Sequence, residues 1–134
     1  MFNVSIVTPE KIFYEGEVSS LIIPGSEGYL GVLTDHAPLI TAVVPGKVSL
    51  TDNEGGEVSM AVSFGFFEVS SNHATLLADS VEYIDDIDIE RAENALKKAK
   101  QRLREAAGDI DTPRARRAVE RAKNRLQIAK DSRQ

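Results

Sequence analysis

Residues 86–108 and 109–131 are two copies of one text. At an offset of 23 they share eleven identities, and DIDIERA at Asp86 returns as DIDTPRA at Asp109. In the first copy the apolar positions are Ala92, Ala95, Leu96, Ala99, Leu103 and Ala106. In the second they are Ala115, Ala118, Val119, Ala122, Leu126 and Ala129. Their three- and four-residue spacing marks one face of a helix. Two such helices on a short connection fold back as an antiparallel hairpin. The ends are signalled too. Gly108 is a stop before the second copy, Asp111 or Thr112 caps the second helix with Pro113 in its first turn, and Asp86 or Asp88 caps the first. Helix capping accounts for the second DID without any ligand.

Four of the six seam positions in each helix are Ala. A buried Leu contributes about 1.5–3 kcal/mol and an Ala methyl roughly 0.8. Two helices joined by so thin a seam need a dock, a ligand or a partner, and can exchange between arrangements.

The first 85 residues have a different period. NVSIV, EVSSLII, KVSLT, EVSMAV, FFEVS and ATLLA read as short strands, several alternating with period two. Thr8-Pro9, Pro24-Gly25, Pro45-Gly46, Asn53 to Gly56 and Ser71-Asn72 read as turns between them. The expected fold is α+β: an N-terminal antiparallel β-sandwich or flattened barrel over 1–85, then the two-helix hairpin over 86–134.

Charge divides at the same place. Residues 1–85 carry two cations and twelve acids, −10, and residues 86–134 carry fourteen cations and nine acids, +5. The absence of cysteine excludes disulfides and thiol chemistry, and two histidines, His36 and His73, are too few for a His-built metal or catalytic centre. No apolar run approaches the roughly 20 residues of a membrane span, and MFNVSIVTPEK lacks the features of a signal segment, so the expectation is a mature soluble protein without direct membrane insertion.

Arg-rich helix faces are most often merely solvated, but the spacing here is selective. Arg91 and Lys98 share one face, as do Arg121 and Arg125, and antiparallel pairing places Lys98 level with Arg121 and Arg91 close to Arg125. Four converging cations suit a phosphate chain or an acidic protein surface. Asp88 would accept from an exocyclic amine or a ribose hydroxyl, and Ile87 would offer an apolar surface to a base. The segment Gly25 to Gly31 lacks the Lys-Ser/Thr ending of a P-loop, which favours binding without hydrolysis. Nucleic acid is a weaker partner, because 86–134 has no aromatic residue for stacking and the rest of the chain is acidic. No titratable set stands by a plausible nucleophile, so the chain reads as a non-enzyme.

SEGYLGVLTDHAPLITAV from Ser26, SFGFFEV from Ser63, TLLAD, and Ile87-Asp88-Ile89-Glu90-Arg91-Ala92 together resemble the epsilon subunits of bacterial F-type ATP synthases. The last segment matches that family's I/L-D-x-x-R-A motif. The resemblance implies a central-stalk subunit whose sandwich touches the gamma subunit and the c-subunit ring. It implies a hairpin that inhibits ATP hydrolysis when extended into the alpha–beta ring and is held compact by ATP as a regulatory ligand, with accompanying Mg²⁺ left open. The site carried over by position is Glu82, Ile87, Asp88, Arg91, Lys98, Arg121 and Arg125. Lys98 stands where the family has Arg and loses its bidentate fork. Tyr29, in place of an acidic residue facing the c ring, and His36, a gamma-contact histidine, are the implied partner contacts; Phe64 replaces the first glycine of a Gly-Gly pair. The implied location is the cytoplasmic face of the bacterial membrane, as a peripheral part of the complex. The alternative from the residues alone is a stand-alone nucleotide- or nucleic-acid-binding module built on the basic hairpin.

Overall fold

The computed structural model describes residues 1–105 and 112–132, so Ala106, Gly108 and Asp109 to Asp111 lie outside the described residues. The chain divides into two compact units, Met1–Tyr83 and Ile84–Gln134.

Nine strands form the first unit: β1 (Phe2–Val7), β2 (Ile12–Gly25), β3 (Gly28–Val32), β4 (Leu39–Val43), β5 (Gly46–Asp52), β6 (Glu57–Val62), β7 (Gly65–Ser70), β8 (His73–Ala78) and β9 (Val81–Tyr83). They join one hydrogen-bonded sheet in the order β1-β8-β7-β4-β2-β5-β6-β9, with β3 on β2 and β1 also on β2. The long β2 makes this closure possible. Its first half pairs with β1 and its second with β5 and β3. Pairing is antiparallel except between β1 and β8, which are parallel.

Alternation decides the core. Val4, Ile6, Val18, Leu21, Ile23, Val48, Leu50, Met60, Phe67 and Leu76 point inward and are almost fully buried. Pro24-Gly25, expected as a turn, instead ends β2, with Pro24 opposite Tyr29; the turn itself is Ser26-Glu27. Between β7 and β8 a two-residue turn puts Ser71 and Asn72 at φ 50° and 62°, the twist that suits a tight hairpin.

Gly65 begins β7 opposite Ala78. A Cβ there would collide with the Leu77 carbonyl oxygen and come 2.8 Å from the Ala78 Cα. Phe64 is tolerated one place earlier, half-buried, with its carbonyl accepting from the Asp79 N–H at 3.0 Å. Only the second place of the glycine pair demands glycine.

The second unit opens on a 3₁₀ turn (Ile84–Asp86), then α1 (Ile89–Glu105) and α2 (Thr112–Ser132). The helices pack on each other and α2 also meets the 3₁₀ turn. Ala92, Ala99, Val119, Leu126 and Ala129 are buried in this unit's helices, with Leu96 and Leu103 half-buried. Ala95, expected in the seam, is exposed. At about 100° per residue it stands well to one side of the Ala92-Leu96-Ala99-Leu103 line, and the seam is thinner than the sequence implied.

Two outcomes follow from the sandwich. Gly65→Ala should cost about 2–3 kcal/mol, read as a lower urea midpoint at unchanged slope; a loss under about 0.5 kcal/mol would contradict the close approach. Burial first, then the charge of Asp52 and then Tyr83, hold the Tyr14 phenol above its ordinary 10.0. The folded chain keeps a proton there that the unfolded chain releases, so this contribution is whole below pH 10.0 and fades as pH rises through the folded value. Tyr14→Phe should therefore flatten the loss of stability above about pH 10; an unchanged alkaline slope in denaturation curves would refute it.

Candidate functional site

The first copy of the repeated DID is a helix start. Asp88 precedes α1; its Oδ1 accepts from the Arg91 N–H at 3.1 Å, and its carbonyl accepts from the Ala92 N–H at 2.9 Å. Asp88, not Asp86, is the cap. Ile87, on the N-terminal side of the cap, and Ala92, in the first turn, are 2% and 1% exposed. These are the two positions of a hydrophobic staple. The Ile87 side chain, expected as a surface for a base, is therefore already covered.

Helical spacing and one ion pair fix where the cations stand. On α1, Arg91 and Lys98 fall on one flank of the seam and Glu93 on the other. On α2, Arg121 and Arg125 fall on one flank and Lys130 on the other. Lys130 Nζ lies 3.5 Å from Glu93 Oε1 across the two antiparallel helices, so their flanks face the same side. The opposite flanks then share the other side, and Arg91, Lys98, Arg121 and Arg125 stand together on it. Five residues inward from the ion pair on each helix, Lys98 stands level with Arg125, about one turn from Arg121, with which the sequence alone had aligned it. Arg91 is about two turns away toward the C-terminal end of α2, so Arg125 is its nearer cation on that flank. Arg91 and Lys98 are exposed; Arg121 and Arg125 are half-buried. Glu82 belongs to the first unit, half-buried on β9 opposite Ala61.

The ion-pair flank is different in kind. An open groove of about 460 Å³ runs there over Leu96 and Leu126, with Glu120, Lys123 and Lys130 on its walls. Mixed charge gives it no single-sign field for a phosphate chain. Among the described residues no His, Cys, Asp and Glu gather as a metal site.

The first unit carries a second surface that the sequence reading missed. Ala42, Phe66, Leu77, Val7 and Ile12 are successive register partners on β4, β7, β8, β1 and β2. Phe66, Leu77 and Ile12 are 62%, 51% and 60% exposed, and Ile40 on the next row is 73% exposed. That next row continues through Glu68, Thr75, Ser5 and Glu15. A contiguous apolar row bordered by acids, on the outside of a sheet, is the pattern of a protein-binding face. The signal was present in FGFFEV: alternation sends one of two adjacent phenylalanines outward, and only Phe67 goes in.

Of the two expected partner contacts, Tyr29 has an exposed ring on β3 whose hydroxyl accepts from the Lys47 N–H at 3.0 Å. His36 is half-buried, with Nδ1 2.6 Å from the Ala37 carbonyl, to which the Nδ1–H tautomer donates. Its loop is tied down next door. The Asp35 N–H donates to Asn72 Oδ1 at 2.7 Å, Asn72 Nδ2 donates to Asp35 Oδ1 at 2.9 Å, and the N-terminal amine donates to Thr34 Oγ1 at 3.0 Å.

Comparison with known proteins covers both units. Residues 1–84 match the family model described as ATP synthase, Delta/Epsilon chain, beta-sandwich domain, and residues 85–130 match that of the long alpha-helix domain. Among curated relatives, the ATP synthase epsilon chain of Moorella thermoacetica is 45% identical over 103 residues, 77% of each chain. That of Desulforamulus reducens is 43% identical over 102 residues, 75% of this chain and 76% of the relative. A chain from the Euglena gracilis mitochondrial ATP synthase (OSCP/F1/c-ring) superposes with TM-score 0.78 at 21% identity, covering 94% of this chain and 79% of its own. One from the Tetrahymena thermophila enzyme (central stalk/c-ring) gives 0.60 at 14%, covering 98% and 96%. At those identities the two structures are alike in fold alone.

Proposed function

The chain belongs to the ATP synthase delta/epsilon chain family, and from that membership we propose that it is the non-catalytic epsilon subunit in the central stalk of a bacterial F-type ATP synthase. The sandwich docks on the gamma subunit and the c-subunit ring. The apolar row through Phe66 and Leu77, with Ile40 beside it, supplies the adhesive surface for one of these contacts, and the Tyr29 and His36 loops supply others. No described helix is long and apolar enough to cross a membrane, which fits a peripheral subunit at the cytoplasmic face.

The hairpin is the regulatory part. Compact, it binds ATP along the flank of Arg91, Lys98, Arg121 and Arg125, with Asp88 beside Arg91 at the start of α1. Extended, it presents the same cations to acidic segments of the alpha–beta ring and inhibits hydrolysis. The observation that carries this reading is the placing of four cations on one side of a seam that buries mostly alanine. An anion bridging both helices adds the cohesion that the seam lacks, and a partner's acids can satisfy the same charges when the helices part. The alternative of a nucleic-acid module is not favoured, since 86–134 offers no aromatic for base stacking.

Titrating the chain with ATP tests the nucleotide half. Removing two charge-assisted contacts at about 1.5–3 kcal/mol each should weaken binding of an Arg91→Ala, Arg125→Ala variant by more than about tenfold. Equal responses from the two proteins would sink the site. For the inhibitory half, deleting residues 86–134 should raise ATP hydrolysis by the reconstituted complex, and a rate no higher than that with the full chain would mean the hairpin is not a brake.

A further inference from the structure

We infer that Asn72 is a positioning residue for partner docking: with Asp35 it clamps the loop over residues 33–38 and so sets the pose of Leu33 and His36. This rests on the reading above, in which that loop meets the gamma subunit or the c-subunit ring.

The loop is a crossover. β3, before it, is bonded to β2, and β4, after it, is bonded along its whole length to β7. A turn opens the loop, closed by the His36 N–H donating to the Leu33 carbonyl at 3.2 Å, with Asp35 third of its four residues at φ 65°. A positive φ at that place is the shape of a type II turn, which ordinarily calls for glycine. An aspartate is held there only with support, because its Cβ disfavours the left-handed region. The β7–β8 turn carries Ser71 and Asn72 at φ 50° and 62°. Among the described residues these three are the non-glycines with positive φ, and two of them, Asp35 and Asn72, are bonded to each other.

The bonding is reciprocal. The Asp35 N–H donates to Asn72 Oδ1 at 2.7 Å, and Asn72 Nδ2 donates to Asp35 Oδ1 at 2.9 Å. An amide supplies both the acceptor and the donor that this needs, whereas a carboxylate supplies only the acceptor. The Asn72 carbonyl meanwhile accepts from the Asn3 N–H at 2.9 Å, which seats the turn against β1. One half-buried residue thus joins the β7–β8 turn, the first strand and the crossover loop. What it holds is open to a partner: Leu33 is 63% exposed, and Ile40, just past the loop, is 73% exposed. A loop already set in one pose loses less freedom when a partner closes on it, and binding tightens without a new contact.

Glycine suits the second place of a tight hairpin turn, so Asn72→Gly keeps the hairpin and removes both clamp bonds. Asn72→Asp keeps the acceptor, loses the donor and sets a second carboxylate against Asp35. Adding Asp35→Asn returns a donor from the opposite side, and asparagine tolerates a positive φ. Binding of each full-length chain to a synthase complex lacking this subunit is measured beside urea denaturation, with Leu33→Ala and His36→Ala as reference variants. Asn72→Gly and Asn72→Asp should each bind about three- to tenfold more weakly, the former at a nearly unchanged urea midpoint. The Asp35→Asn, Asn72→Asp double variant should bind within about twofold of the unaltered chain. Unchanged binding by Asn72→Gly, or a double variant as weak as Asn72→Asp, would overturn the inference alone. A midpoint that falls together with the affinity in Asn72→Gly would make the residue structural only and overturn it as well. Unchanged binding by both reference variants would overturn the reading of this loop as a contact and take the inference with it.

Discussion

How little α1 and α2 bury against each other governs what the second unit can do. Ala92, Ala99 and Ala129 line a contact that in a stable bundle would hold leucines, and Ala95 does not enter it. Each alanine contributes roughly 0.8 kcal/mol, less than the entropy of ordering a single residue, about 1–2 kcal/mol. A pair of helices built this way is held by whatever else touches both. One such link is Glu93 to Lys130, 3.5 Å apart and about half exposed on each side. A pair so open to water is worth a few tenths of a kcal/mol.

The same thin seam brings the cations of the two helices toward each other. On a deep seam the flanks of two helices stand far apart; alanine lets the backbones approach. Arg91, Lys98, Arg121 and Arg125 then form one field. The sandwich carries the opposite sign, and its working surface is of another kind. Phe66, Leu77, Ile12 and Ile40 stay exposed on a sheet whose other face is filled by Phe67, Leu76 and Ile6. One unit thus exposes an apolar row and the other a basic flank.

Much of this was legible in the residues. The 23-residue repeat announced two matching helices, and the strands with clear alternation, such as EVSMAV, stand where they were read. What escaped was what alternation does not mark. β3 (GYLGV) holds two glycines among five residues, β9 has only three residues, and β4 (LITAV) follows a proline with no polar partner at every second place. The first half of β2 (IFYEGE) was hidden by its acids and Gly16. In the candidate site, helical spacing gave the pairs Arg91–Lys98 and Arg121–Arg125 and antiparallel pairing put them on one side, whereas the register between the helices needed the Glu93–Lys130 contact. Asp88 was named from sequence both as a candidate cap, beside Asp86, and as a ligand contact. Its bond to the Arg91 N–H chooses it over Asp86 as the cap, a choice that the repeated Asp-Ile-Asp left open.

The central claim is that one anion on the basic flank ties both helices together. Amide hydrogen exchange of the full chain, with and without saturating ATP, tests it most directly. The account requires exchange to slow in α1 and α2 together, while the sandwich core around Phe67 and Leu76 keeps its rate. Slowing confined to α1, or no change in either helix, would contradict it.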